Sequence, residues 1–115
     1  MNKSNADAAQ VLREALNTLE DPKCWTKGEN ARDARGNDLP VLDRGAVCFC
    51  ALGAIDRAVQ TNCFELGIYH LAVEFLNSAI FEKKFADIPA WNDAPERTHA
   101  EVIAAFEKAI ELAEA

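Results

Sequence analysis

The sequence predicts an all-α fold: a compact single-domain bundle of about four to five helices over residues 1–115. A long, partly ordered loop separates the first helix from the second. Three observations carry this. Half of the 115 residues are hydrophobic, with only 5 Gly and 4 Pro, a composition that packs a core rather than staying disordered. Apolar residues recur at helical spacing along most of the chain. One stretch, residues 22–43, holds too many Gly, Asn, Asp and Pro residues for a continuous helix.

The first helix has Asn5 or Ser4 as its N-cap and carries Ala9, Leu12, Leu16 and Leu19 on one face, and Asp21-Pro22 stops it. The loop follows as "PKCWTKGENARDARGNDLPVLD". Within it "RDARGNDLPV" can form a tight turn, a short hairpin, because Gly36-Asn37 tolerates the backbone angles a hairpin needs. A second helix is expected from Asp43 as N-cap, with Val47, Ala51, Ala54, Ile55 and Ala58 at helical spacing. It is apolar nearly all round from Ala46 to Ile55 and is therefore read as the central helix. Gly53 lowers its helix propensity by about 1 kcal/mol relative to Ala, which signals that another backbone or a bulky ring, a tryptophan for instance, packs close there.

A third helix is expected from Asn62 and Glu65 as a capping box, with Phe64, Ile68, Leu71 and Phe75 on its buried face. It either continues through "LNSAIFEKKFADIP" or breaks near Asn77-Ser78, and Pro89 favours an extended Ile88. The last helix has the clearest signature: Thr98 and Glu101 make a capping box, and Val102, Phe106, Ala109 and Ala113 make the buried stripe.

Nineteen acidic against twelve basic residues give a net charge of −7, a surface that repels phosphate backbones and anionic membranes. Direct nucleic-acid binding and membrane association are disfavoured. The N-terminal "MNKSNADAAQ" lacks the apolar core of a secretory signal, and no apolar run approaches the ~20 residues that span a bilayer. A soluble, cytoplasmic protein is the expectation, and with it free thiols at Cys24, Cys48, Cys50 and Cys63.

No cysteine or histidine pair has the spacing that closes a zinc site, and there is no Gly-rich phosphate loop and no G-x-S-x-G. No cofactor or metal is expected. A cysteine nucleophile is the enzymatic alternative. Cys48 or Cys50 near a helix N-terminus would be paired with His99 or His70, and Asn92 or Asp93 would orient the imidazole, in a small hydrolase or transferase.

The stretch "AWNDAPERTHAEV" concentrates side chains that suit recognition. In a structural reading Trp91 anchors the core, Asn92 or Asp93 closes an Asx turn, Pro95 fixes the direction of the chain and Thr98 caps the last helix. In a binding reading Asn92, Asp93 and Arg97 project into a cleft floored by Trp91 and faced by Arg32 and Asp33 of the loop. The brace takes precedence. The two loops are expected to meet, with Asp33 or Asp93 paired to Arg32 or Arg97 and Trp91 packed near Gly53.

The run "ARDARGNDLPVLDRGAVCFCALGAI" together with "IPAWNDAPERTHAEVIAAFEKAIELA" resembles a family of small bacterial and phage-encoded proteins, a domain of unknown function. The resemblance rests on "ARD" with Gly36, on the Cys50-Ala-Leu-Gly-Ala run, and on Trp91-Asn92-Asp93 followed by Arg97-Thr98. Members of that family often have a Trp-Cys pair before "ARD", whereas this chain has Trp25-Thr26 preceded by Cys24. The resemblance implies a recurring fold and brings no activity with it. The function expected is a non-catalytic binding domain that uses the 91–97 turn and the 25–43 loop to meet a protein or a small polar ligand. An acidic, phage-type inhibitor of a host nucleic-acid-binding protein is a further alternative.

Overall fold

The computed structural model describes residues 2–80, 84, 85 and 87–115. Helix α1 (Lys3–Leu19) is capped by Asn2, two or three residues before the expected Ser4 or Asn5, because Asn2 accepts a hydrogen bond from the Asn5 N–H at 2.8 Å and so satisfies one of the orphan donors of the first turn. It stops at Asp21-Pro22 as expected, and a short 3-10 turn, Pro22–Cys24, follows. Ala8, Val11, Leu12, Ala15 and Leu19 are fully buried, and α1 packs on α2 (Ala51–Thr61), α3 (Leu66–Ala79) and α5 (His99–Glu114). The hub of the bundle is thus α1, not α2. Its small alanines let neighbouring helices approach on more than one side, which a count of large apolar residues does not register.

Helix α2 begins at Ala51, well after Asp43. The apolar run from Ala46 to Cys50 is extended instead. Strand β2 (Cys48–Phe49) pairs antiparallel with β1 (Ala31–Arg32), with Ala31 opposite Phe49 and Arg32 opposite Cys48. A further parallel bridge joins Trp25 to Phe49. The β-branched and aromatic residues Val47 and Phe49 suit this ribbon, and its tertiary pairing overrides the helical spacing of the run. The turn read from "RDARGNDLPV" is present: Arg32 bridges Asp38, the Asp33 N–H donates to the Asn37 carbonyl at 2.8 Å, and Gly36 sits at φ 87°.

The C-terminus of α2 explains why α3 starts late. Asn62 ends α2 rather than opening α3: its Nδ2 donates to the Ala58 carbonyl at 2.8 Å and to the Glu14 carboxylate. The Cys63 N–H reaches the Gln60 carbonyl and the Phe64 N–H reaches the Val59 carbonyl, so the helix closes in a Schellman motif whose left-handed position is Cys63, at φ 55°. A non-glycine residue costs roughly 1 kcal/mol in that conformation. Cys63 is exposed, so Cys63→Gly is expected to raise the unfolding free energy by about 1 kcal/mol. Urea denaturation measures it, and a loss of stability would mean that the thiol has a structural role.

Helix α3 then buries Ala72, Leu76 and Ala79, leaving Ile68, Leu71 and Phe75 half-buried at the margin of the core. The buried stripe is displaced from the one read off the large residues, again because small side chains face the neighbouring helices. The helix passes through Asn77-Ser78, and part of the "IFEKKFADIP" segment lies outside the described residues.

Helix α4 (Ile88–Asp93) takes Pro89 into its first turn, where the missing N–H is no loss. The extended residue is Asp87, one earlier than expected, and its side chain caps the Ala90 N–H at 2.9 Å. Helix α5 has the expected capping box: Thr98 Oγ1 accepts from the Glu101 N–H, and Glu101 Oε1 accepts from the Thr98 N–H. The bond from the Thr98 N–H, helped by the Thr98 hydroxyl and the Arg97 charge, lowers the Glu101 carboxyl pKa. All four residues of the expected α5 stripe are buried. Among the described residues, no helix is long and apolar enough to cross a membrane.

Candidate functional site

The "WND" segment, expected as an Asx turn, is the last turn of α4: neither Asn92 nor Asp93 accepts from the backbone two residues on. Asn92 is its most constrained polar residue. Its side chain is completely buried and all of its hydrogen-bonding capacity is used. Oδ1 accepts from the Ala51 N–H at the start of α2 (3.0 Å) and from the Trp25 indole (2.8 Å). Nδ2 donates to the Thr26 carbonyl (3.1 Å) and to Asp93 Oδ1 (2.9 Å). One amide therefore ties α4 to the first turn of α2 and to the extended segment 25–26. Asp93 continues the seam by accepting from the Gly28 N–H at 2.9 Å, and Lys27 Nζ donates to the Ala94 carbonyl at 2.7 Å.

Arg32 grips the same segment from the other side. Its Nε donates to Thr26 Oγ1, Nη2 to the Lys27 carbonyl and Nη1 to the Gly36 carbonyl, so one guanidinium spans the loop. Asp33 turns away from this seam. Oδ1 accepts from the Asn37 and Arg35 N–H groups, and these backbone bonds, the Asn37 one foremost, lower its pKa. Trp91 and Arg97 lie on another side of α4. The Arg97 guanidinium stacks 4.3 Å from the Trp91 ring, donates through Nε to the Trp91 carbonyl at 2.9 Å, and approaches Glu101 at 3.4 Å.

Of the six residues singled out from sequence, Asn92, Asp93 and Arg32 thus converge on residues 26–28, Trp91 and Arg97 form a separate stack, and Asp33 orders its own turn. The two loops meet as expected, but through different contacts. Asp33 and Asp93 accept from N–H groups of the backbone and of amide side chains, and neither forms an ion pair with Arg32 or Arg97. The backbone of Asn30, not Trp91, lies against Gly53. A Cβ at Gly53 would stand 1.9 Å from the Asn30 carbonyl oxygen.

That close approach shapes the main cleft, about 430 Å³ in volume. One wall is the segment 28–30, another is the segment 39–42, and the α2 side presents Cys50, Asp56 and Gln60, with Pro89 and Asp93 of α4 closing the end. Asp93 is the one residue of the six singled out from sequence that lines it. Glu29 and Asn30 belong to the 25–43 loop expected to take part, whereas Asp56 and Gln60 of α2 were not anticipated. A signal for the last two was available: they follow Gly53 at three and seven residues, on the same face of α2 as the glycine that marks the docked backbone.

The cysteine–histidine arrangement is not assembled. Cys50 is the N-cap of α2. Its Sγ accepts from the Gly53 N–H at 3.3 Å and lies 3.5 Å from Asn30 Oδ1. Burial pushes its pKa up despite the hydrogen bonds it accepts, so the thiol stays protonated near neutral pH. His99 Nε2 lies 2.6 Å from the Leu19 carbonyl. A carbonyl only accepts, so this nitrogen carries a hydrogen. His70 is exposed beside Tyr69, in a second cleft of about 400 Å³ that shares Pro89 with the first. Among the described residues, no group of three or more metal-ligating side chains gathers.

No curated protein and no solved structure matches the chain. A family model does: it is described as a family of unknown function (DUF6197) and matches residues 3–112. Those residues take in the ribbon, the Asn92 seam, both clefts and all but the last two residues of α5, and the chain belongs to this family of unknown function.

Proposed function

We propose that the protein is a non-catalytic binding domain and that its recognition surface is the cleft between the 28–30 and 39–42 segments. The ligand class is a small polar molecule carrying an amine or guanidinium. One observation supports this above the rest: the described lining contains three carboxylates, Glu29, Asp56 and Asp93, and no lysine or arginine, beside the apolar Leu39, Val41 and Leu42. Carboxylates offer charge-assisted hydrogen bonds to a cation, and the apolar wall covers its carbon skeleton. The walls are held from behind by Asn92 and Arg32, so little ordering is left to be done on binding. In this reading the residues of the "WND" turn and "ARD" segment position the site, and the contacts to ligand come largely from their neighbours.

The test is titration of the full chain with small amines and guanidines, followed by NMR amide shifts. Perturbations are expected at residues 28–30 and 39–42, with Asp56→Asn weakening binding about tenfold or more, as befits loss of a charge-assisted hydrogen bond. Asp56 accepts one exposed hydrogen bond, from Gln60, so this variant leaves the fold intact. Shifts elsewhere, or none at millimolar concentration, overturn the reading.

A further inference from the structure

We propose that Cys24 and Cys48 form an oxidative modification site, a dithiol that closes to a disulfide when it meets a disulfide-class oxidant. Trp25 and Phe49 are joined by a parallel backbone bridge, in which the Thr26 N–H donates to the Phe49 carbonyl at 2.9 Å. Each cysteine immediately precedes one of these bridged residues, so the two come side by side although 24 positions apart in sequence. Cys24 ends the 3-10 turn and Cys48 opens β2, so the two cysteines are held together by the Trp25–Phe49 bridge next to them. Bridged backbones lie about 4.8 Å apart, near the short end of the roughly 4.4–6.8 Å Cα separation that a disulfide spans. Along β2 the side chains alternate: Phe49 is buried, and Cys48 faces the outer, half-exposed side. Cys24 is half-exposed as well. Burial raises the Cys24 pKa, followed by the charges of Asp21 and of Cys48, so the two sulfurs are in electrostatic range of each other.

The chemistry balances with glutathione disulfide as oxidant. One protein thiolate attacks a glutathione sulfur, the glutathione S–S bond breaks and one glutathione thiolate leaves. The other protein thiolate then attacks the protein sulfur of the mixed disulfide and releases the second glutathione. The protein loses two hydrogens, and its two electrons reduce one glutathione disulfide to two thiols. The raised Cys24 pKa makes this slow at neutral pH and faster as pH rises. The bond would close the chain from 24 to 48, which carries both loop walls of the main cleft, and so would staple those walls together whatever the cleft binds.

Incubating the folded full chain with glutathione disulfide, alkylating the remaining thiols and mapping peptides by mass spectrometry tests this. The expected product has lost two hydrogens, carries a peptide cross-link between Cys24 and Cys48, and forms equally in Cys50→Ser and Cys63→Ser variants. Cys24→Ser and Cys48→Ser should each abolish the cross-link and hold one glutathione on the remaining partner. A cross-link between any other pair, stable glutathione on both Cys24 and Cys48, or no reaction at either overturns the proposal. The cross-link map of the unsubstituted protein decides the matter even if a variant fails to fold.

Discussion

Asn92→Ala is expected to destabilise the protein by about 4 kcal/mol, a large share of the roughly 6–15 kcal/mol typical of a domain this size. The amide is buried and makes four hydrogen bonds, so its removal strands the Ala51 N–H, the Trp25 indole N–H and the Thr26 carbonyl at once. Each buried group left without a partner costs about 1–3 kcal/mol, and the vacated volume adds to that. The same change at a ligand-contacting asparagine would be nearly neutral for folding. Urea denaturation of Asn92→Ala therefore separates the two roles, and an effect below about 1 kcal/mol would return Asn92 to the list of ligand contacts.

Asn92→Asp sharpens this. A carboxylate can still accept from Ala51 and Trp25, but it would face the Thr26 carbonyl and the Asp93 carboxylate where Nδ2 now donates. Burial and the like charge would raise its folded pKa above the unfolded value of about 3.9. The destabilisation relative to wild type is thus greatest near neutral pH. It shrinks as pH falls through the raised folded value toward the unfolded one, because the protonated carboxyl can donate to Thr26 as the amide does. A pH-independent penalty would show that the donor side of the amide is unimportant.

How far the sequence carried the structure can be seen at particular residues. The last helix was legible in full because its information is local: Thr98 and Glu101 satisfy each other's N–H groups, and the buried stripe repeats at the helical period. The start of α2 was not, because Ala46 to Phe49 satisfies a helical pattern and a strand pattern alike. What decides between them is Ala31 and Trp25, 18 and 24 residues before Phe49 in the chain. The site divided in the same way. Residue type pointed correctly to "WND" and "ARD" as places where polar groups gather, but type cannot say whether a donor meets a ligand or a backbone carbonyl. Asn92 and Arg32 find their partners in a loop whose course no local rule predicts, and the cleft residues Glu29 and Asn30 look like ordinary surface until that course is known.

Gly53→Ala carries the second large expected effect, and it works against helix propensity. In an α-helix interior the change should stabilise by about 1 kcal/mol, and Gly67 in α3, with nothing within 4 Å of an added Cβ, is expected to show that gain or part of it. At Gly53 the added carbon would stand 1.9 Å from the Asn30 oxygen and 2.7 Å from its carbonyl carbon, and these are backbone atoms that no rotamer change can move aside. The segment 28–30 must retreat by roughly 1 Å or more, which stretches the hydrogen bond from the Cys50 N–H to the Asn30 carbonyl and strains the Asp93 bond to the Gly28 N–H. We expect a net loss of about 2–3 kcal/mol, typical of overpacking against a rigid neighbour, and an increase in amide hydrogen exchange at Cys50 and Gly28 that is larger than any within α2. Because the same segment is a wall of the cleft, the affinity for amines in the proposed binding role should fall with it. Opposite signs at Gly53 and Gly67 for the same substitution would establish that the glycine serves the approach of a second backbone. Equal gains at both would mean that Asn30 does not dock there.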